Sequence, residues 1–165
     1  MVLFKNGEEK DFFVERFMPT RRITTEAEAI HGLSKFRLMM EECKKFSKEA
    51  SERISEFLHR EEGLPIVAHN VSFDRDSVLK AAFKKVENEE RLPKDDRWRC
   101  TWEMSKIIPE IEWNNLDEVL EHFGFDNRGD KCHDALTDAR CVAKVYMAMM
   151  NQPEKKKLSL GFASK

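Results

Sequence analysis

Three ionisable residues, Asp74, His133 and Asp138, stand at positions where folding would bring their side chains together in one site. Asp74 stands just beyond a short apolar run and at the start of a predicted helix, and Asp138 lies on the apolar face of the last predicted helix. Aspartate oxygens are ligands for hard divalent cations, and an imidazole with a pKa of about 6.5 accepts a proton near neutral pH. Together they could support metal-assisted hydrolysis.

The position of Asp138 is the most informative of the three. It precedes Val142 by four residues, Val145 by seven and Met149 by eleven, so its carboxylate projects from a helix face that is otherwise turned inward. A carboxylate on such a face needs a compensating partner. His133 lies five residues earlier, roughly 140° around a regular helix, and reaches the same site only from the loop or first turn before the helix.

Each residue also has an ordinary structural explanation. Asp74 would serve as a helix N-cap, His133 as a surface loop residue, and Asp138 as an ion-pair partner on a helix edge. Considered singly, these explanations are the more common ones.

The sequence pattern predicts the elements that must position these groups. A hairpin is predicted with strands at residues 1–5 and 11–18 around a turn at Asn6-Gly7, followed by one long helix over residues 36–59. A buried strand at residues 64–68 delivers His69 and Asn70 at its carboxyl end. The remaining predictions are a helix over 74–88, a surface loop over 87–96, and a strand over 98–101 that pairs with the strand at residues 64–68. Helices are predicted over 115–123, closed by Gly124, and over 134–150.

Length and composition bound the class of protein. The 165 residues suit one domain, predicted over residues 1–150, with a basic mobile tail over 151–165. The net charge of −2 argues neither for nor against nucleic acid. Without a long apolar run, we expect no membrane association and a cytosolic or nuclear location. The four cysteines lack C-x-x-C spacing, so reduced thiols are expected and zinc is not.

Two motifs contain these ionisable residues. One motif is His69-Asn70-Val71-Ser72-Phe73-Asp74, and the other is His133-Asp134-Ala135-Leu136-Thr137-Asp138-Ala139. In this order they make the chain resemble the DEDDh, or DnaQ-like, 3′-to-5′ exonucleases, the family of polymerase proofreading subunits and RNase T. The resemblance extends over nearly the whole chain. It implies an α/β fold of the RNase H-like kind, with a mixed sheet flanked by helices.

The resemblance also implies roles for individual residues. Asp74 and Asp138 would be ligands of a two-metal site for Mg²⁺ or Mn²⁺, and His133 would be the general base for phosphodiester hydrolysis. His69, Asn70 and Phe73 are the candidates for nucleic-acid contact. The expected partners are single-stranded 3′ ends of DNA or RNA, and a polymerase or other chain.

The first motif of the family, an Asp-x-Glu pair on a central strand, has no counterpart before Pro19. The strand at residues 1–5 resembles the family's second strand, so the first central strand is expected to be missing and the metal site incomplete. Glu8, Glu9, Asp11 and Glu15 are explained by solvent exposure without metal. We therefore expect weak or absent activity in this chain.

Three functions compete on this sequence. The first is an exonuclease whose D-x-E strand lies upstream, and the second is a non-catalytic relative that binds nucleic acid or protein. The third, an unrelated helical scaffold, requires both motifs to be coincidental. DNA and RNA are not distinguished, and Trp98, Trp102 and Trp113 are interpreted as core or rim aromatics. Arg21-Arg22 and the lysines at 155–157 are interpreted as solvated surface.

Overall fold

The computed structural model describes residues 1–126 and 134–151. Its first unit is the predicted hairpin: β1 (Val2–Lys5) pairs antiparallel with β2 (Glu8–Phe12). Both turn residues, Asn6 and Gly7, have positive φ values of 56° and 81°, the geometry that matches the twist of a hairpin. The second strand begins earlier than predicted and ends at Phe12, so the prediction of a strand through residue 18 was wrong.

The predicted long helix over residues 36–59 is two helices, α2 (Lys35–Met40) and α3 (Lys48–His59). Glu42 adopts a left-handed conformation with φ of 53°, and the Cys43 amide donates to the Leu38 carbonyl at 2.9 Å. This is a Schellman ending built on a residue other than glycine. Periodicity alone does not reveal it, and the short helix α1 (Thr25–His31) was also not predicted.

The strand that leads to the first motif is β3 (Ile66–Ala68), and it pairs in parallel with β4 (Trp98–Cys100). The predicted pairing of these strands is confirmed. A π-helix (Ser72–Lys80) follows β3 and continues into α4 (Ala81–Lys85), in place of the single regular helix predicted. Short 3-10 turns at Glu89–Arg91 and Asp95–Arg97 occupy the predicted loop.

Three helices follow β4 in the described residues. β4 runs directly into α5 (Thr101–Ser105), which was not predicted, and α6 (Leu116–His122) and α7 (Ala135–Met150) match the predicted helices. α6 ends as expected at Gly124, where φ is +73°. None of the helices in the described parts of the chain is long and apolar enough to cross a membrane.

Helices cover both faces of the β3–β4 sheet. Val67 packs against a core cluster supplied mainly by the segments around α5, α6 and α7. Its neighbour Ile66 packs against the second cluster, which contains Ile54, Leu58 and Phe83. Adjacent strand residues point to opposite faces, so the sheet lies between two helical layers. The α/β fold class is therefore confirmed.

The four strands of the described residues form two separate two-stranded sheets, where one mixed sheet was expected. Helix α7 contacts both β1 and β3. Within residues 1–126 and 134–151, β1 pairs only with β2 and β3 only with β4. β3 was predicted to be buried, and all three of its residues are partly buried.

Candidate active site

Asp74 lies in the first turn of the π-helix, immediately beyond the carboxyl end of β3. The N-cap explanation for it is wrong. The Asn70 side chain does the capping, because its Oδ1 accepts the Phe73 amide at 3.2 Å and the Ser72 hydroxyl at 2.8 Å. Asn70 thus orders the start of the helix that carries Asp74.

The carboxylate of Asp74 is in an unusual environment for a surface residue. The side chain remains accessible to solvent, yet surrounding protein atoms displace part of its hydration, and this desolvation raises its pKa above the ordinary 3.8. A hydrogen bond from the backbone of Asn70 acts in the opposite direction and is the smaller effect. A partly dehydrated carboxylate interacts more strongly with a nearby cation, because less water screens the charge.

His69 ties the end of β3 to two neighbouring segments. Its Nδ1 lies 3.0 Å from the Thr101 hydroxyl, and its Nε2 lies 3.0 Å from the Asn114 carbonyl oxygen. A carbonyl only accepts hydrogen bonds, so Nε2 carries a proton. Thr101 is fully buried. His69 therefore positions the motif, and its contact with nucleic acid stays a prediction, as do those of Asn70 and the exposed Phe73.

Asp138 is in the first turns of α7, one turn before Cys141 and Val142. Those two residues belong to the core cluster against which Val67 of β3 packs. Val145 and Met149 are also buried, which confirms that the predicted face of α7 turns inward. Asp138 itself is half-buried.

The start of α7 is fixed by Asp134, the residue after His133. Its side chain accepts hydrogen bonds from the Thr137 amide at 3.0 Å and the Thr137 hydroxyl at 3.1 Å. These bonds, led by the one from the Thr137 backbone, lower the pKa of Asp134. His133, the predicted general base, lies outside the described residues, as does the predicted basic tail beyond residue 151. Both stay predictions.

The acidic residues of the hairpin region are engaged in ion pairs. Glu9 forms a bidentate pair with Arg140 of α7, with both N–O distances 2.8 Å. Glu8 pairs with Lys10, Asp11 with Arg60, and Glu15 with Arg53. These four carboxylates, which the sequence analysis attributed to solvent exposure, are thus each paired with a basic side chain.

The oxygen ligands of the candidate site are of the chemical type that a divalent cation prefers, but they are too few. Asp74 and Asp138 offer the hard oxygen ligands that Mg²⁺ and Mn²⁺ prefer, whereas Mg²⁺ takes about six oxygens. Within the described parts of the chain, no group of three or more His, Cys, Asp or Glu side chains is placed to hold a metal. The residues described here would therefore form only part of a metal site.

Comparison with known proteins decides the family. An exonuclease family model, RNase T, matches residues 1–146. The chain belongs to this exonuclease family. The matched residues include both motifs.

Several curated relatives are bacterial DNA polymerase III proteins. The epsilon subunit of Haemophilus influenzae is 27% identical over 131 residues, which span 79% of this chain and 48% of the relative. The epsilon subunit of Escherichia coli is 27% identical over 134 residues, spanning 79% and 51%. A PolC-type DNA polymerase III of Thermotoga petrophila is 27% identical over 154 residues, spanning 93% of this chain and 10% of the relative. The chain thus spans about half the length of the epsilon subunits it matches.

The sequence interpretation missed the loop that closes the site next to His69. Asn114 has a left-handed backbone, with φ of 58°, and its Oδ1 accepts the Ser105 hydroxyl at 2.8 Å. The Glu118 carboxylate accepts the backbone amides of Glu112 and Trp113 at 2.6 and 2.8 Å. The Asn115-x-x-Glu118 spacing, typical of a helix start, was the available signal.

Proposed function

We propose that this chain is a 3′-to-5′ exonuclease domain that hydrolyses phosphodiester bonds at the 3′ end of single-stranded nucleic acid, with impaired activity in the chain as given. The observation that carries the proposal is the placement of the two motif carboxylates within an exonuclease family match. Asp74 lies six residues beyond the last residue of β3, and Asp138 lies one turn before the part of α7 that packs on β3.

Each residue of the proposed site has a defined task. Asp74 and Asp138 would hold Mg²⁺ or Mn²⁺, which supplies charge stabilisation at the attacking and leaving oxygens when bound. His133 would take the proton from the attacking water. Asn70 orders the turn before Asp74, and His69 fixes that turn to α5 and to the loop at Asn114.

Impairment follows from the number of carboxylates. The family places two further acidic residues on an Asp-x-Glu strand, and the acids of this hairpin are held in ion pairs. We expect isothermal titration calorimetry to find only weak Mg²⁺ binding without nucleic acid. Tight binding of two Mg²⁺ ions would contradict this expectation.

The decisive experiment restores the missing ligands. A family-type strand bearing Asp-x-Glu is fused before Met1, and release of mononucleotides is measured from labelled single-stranded DNA and RNA. Reactions contain Mg²⁺ or Mn²⁺, or a chelator. We expect the unfused chain to be inactive or nearly so, and the fusion to digest from the 3′ end in a metal-dependent manner.

Two variants of the fusion assign the activity. His133→Ala and Asp138→Asn should each abolish digestion. Metal-dependent digestion by the unfused chain that His133→Ala abolishes would show that the missing strand is not needed. The use of both DNA and RNA in the same assay identifies the preferred substrate.

The alternative function is a non-catalytic module that binds nucleic acid or another protein. It is favoured by the lack of a three-ligand metal cluster in residues 1–126 and 134–151. A fusion that folds stably and remains inert would support this alternative. Because the relatives are DNA polymerase III proteins, association with a polymerase is part of the proposal for either function.

A further inference from the structure

The three tryptophans, all of which the structure describes, differ sharply in what their rings contact. Trp98 is buried in the core. One face of Trp102 is covered by the Lys106 ammonium group, 3.3 Å from the ring centroid. Trp113 is 74% exposed, although it is the bulkiest apolar side chain type. Trp113 is therefore the tryptophan whose ring is most available to a ligand.

The exposure of Trp113 is not explained by a loosely held loop. Its own amide and that of Glu112 donate to the Glu118 carboxylate. The next residue, Asn114, accepts from His69 through its carbonyl and from Ser105 through its side chain. The fold thus fixes the backbone on both sides of Trp113 and still directs the ring to solvent. A fixed backbone lowers the entropy lost when a ligand binds the ring.

The backbone next to Trp113 contacts the first residue of the motif that contains Asp74. Asn114 is 3.0 Å from the Nε2 of His69, and His69 opens the motif that ends in Asp74. Phe73, in the same motif, is 59% exposed. Two exposed aromatic residues, Phe73 and Trp113, therefore belong to segments that meet just beyond the carboxyl end of β3, where a substrate strand would approach Asp74.

We propose that Trp113 stacks on a nucleobase of a single strand and positions that strand for the site at Asp74. Stacking uses the face of the base and not its hydrogen-bonding edge, so it tolerates any base sequence. It suits an exonuclease that must shift along a strand after each hydrolysis. The inference rests on the proposed exonuclease function, but the binding that it predicts is measurable without catalysis.

The test is tryptophan fluorescence of the full chain in chelator, so that no hydrolysis occurs. A single-stranded oligothymidylate and an abasic oligonucleotide of equal length and charge are titrated in parallel. We expect the oligothymidylate to quench the fluorescence. Because the abasic strand offers phosphates without bases, we expect it to cause little quenching. Equal quenching by both strands would overturn the proposal, since Trp113 would then respond to charge alone.

The variants isolate the ring. Trp113→Ala should weaken binding of the oligothymidylate roughly 5- to 150-fold, the range for loss of one stacked base. Trp113→Phe should retain most of the affinity. Phe36→Ala is the matched control, because it removes a ring of similar exposure, 72%, from α2. It should leave affinity unchanged. Binding of Trp113→Ala is followed by fluorescence anisotropy of a labelled strand.

The outcomes separate this inference from the proposed exonuclease function. Unchanged affinity in Trp113→Ala overturns the inference, whether or not the fusion with an Asp-x-Glu strand is active. Ring-dependent binding together with an inert fusion sustains the inference and removes the catalytic proposal. Because Trp113 is exposed, its replacement should leave the melting temperature nearly unchanged. A large fall in melting temperature would show that the ring packs within the fold, against the proposal.

Discussion

Asp74 lies in a helix and its carboxylate is partly desolvated, and this desolvation lowers the stability of the folded state. Its pKa is raised in the folded state, so the ionised form is less favourable there than in the unfolded chain. The ionised group therefore opposes folding at neutral pH. A carboxylate kept at such a position is typical of sites where function and not stability selects the residue.

We predict that Asp74→Asn stabilises the chain at neutral pH in chelator. The gain in the free energy of unfolding is absent below the pKa of Asp74 in the unfolded chain, about 3.9. It grows as the pH rises through the raised pKa of the folded state, and then stays constant. Urea unfolding at several pH values measures it. Lower stability of Asp74→Asn at neutral pH would contradict the desolvation argument.

Asp76 is the matched control, two residues further along the same π-helix. Hydrogen bonds from Arg75 and then Lys80 lower its pKa to about 2. A lowered folded pKa means that the ionised group favours folding above the unfolded pKa and that this contribution is lost as the pH falls towards 2. Asp76→Asn should therefore destabilise at neutral pH, opposite in sign to Asp74→Asn.

His69 is the second residue whose role is measurable by itself. We predict that His69→Ala destabilises the fold by about 1–3 kcal/mol, because it leaves the buried Thr101 hydroxyl and the Asn114 carbonyl without their partner. Thr101→Val removes the other side of one bond with little change of shape. Since the two residues share a hydrogen bond, the double variant should cost less than the sum of the two singles in urea unfolding.

At the scale of elements, helix endings decided where the sequence interpretation succeeded. Gly124 follows α6 with φ of +73°. Its amide donates to the Glu121 carbonyl and the Phe125 amide donates to the Leu120 carbonyl, as a Schellman motif requires. The glycine makes this ending visible in the sequence. Glu42 and Glu87 end their helices in the same left-handed geometry, and a glutamate gives no such signal. The split of the predicted helix over residues 36–59 was missed for this reason.

The left-handed geometry that Gly124 and Glu42 share at helix ends leads to a prediction. A Cβ at Gly124 would meet no atom within 4 Å, so Gly124→Ala tests backbone strain alone. It should destabilise by about 1 kcal/mol, the cost of a left-handed conformation for a residue with a side chain. Glu42→Gly should stabilise by a similar amount for the inverse reason. Thermal unfolding followed by circular dichroism measures both changes.

Gly63 supplies the control for this pair of variants. A Cβ there also meets nothing within 4 Å, and its backbone is not left-handed. Gly63→Ala should be neutral or slightly stabilising, because alanine restricts the unfolded chain without strain in the folded one. Equal destabilisation by Gly63→Ala and Gly124→Ala would show that the left-handed φ of Gly124 is not the cause.

At the scale of the whole molecule, the two motifs predicted the α/β class and the β3–β4 pairing, because each motif adjoins an element with a clear pattern. The hairpin, α6 and α7 were predictable for the same reason. The loop at Trp113 is held in part by the tertiary hydrogen bond between His69 and the Asn114 carbonyl oxygen. No local pattern encodes contacts made across 45 residues of chain.

The split between the two sheets leads to the final prediction. β1 and β3 both contact α7, and their residues are partly buried except for the exposed Lys5. Neither strand has a second partner strand among the described residues. A fused strand that pairs with both should stabilise the chain, by about 0.5–1.5 kcal/mol for each new hydrogen bond. Amide hydrogen exchange of β1 and β3 should slow accordingly.

A strand of the same sequence with Ala-x-Ala in place of Asp-x-Glu separates pairing from catalysis. Its apolar positions and backbone donors are unchanged, so it should slow exchange at β1 and β3 and raise the midpoint of urea unfolding. It lacks the two carboxylates, so it should remain inactive towards single-stranded ends. Fast exchange at β3 in both fusions would show that the strand does not enter the sheet. Slow exchange with activity in the Ala-x-Ala fusion would instead show that Asp74 and Asp138 suffice as the carboxylates of the site.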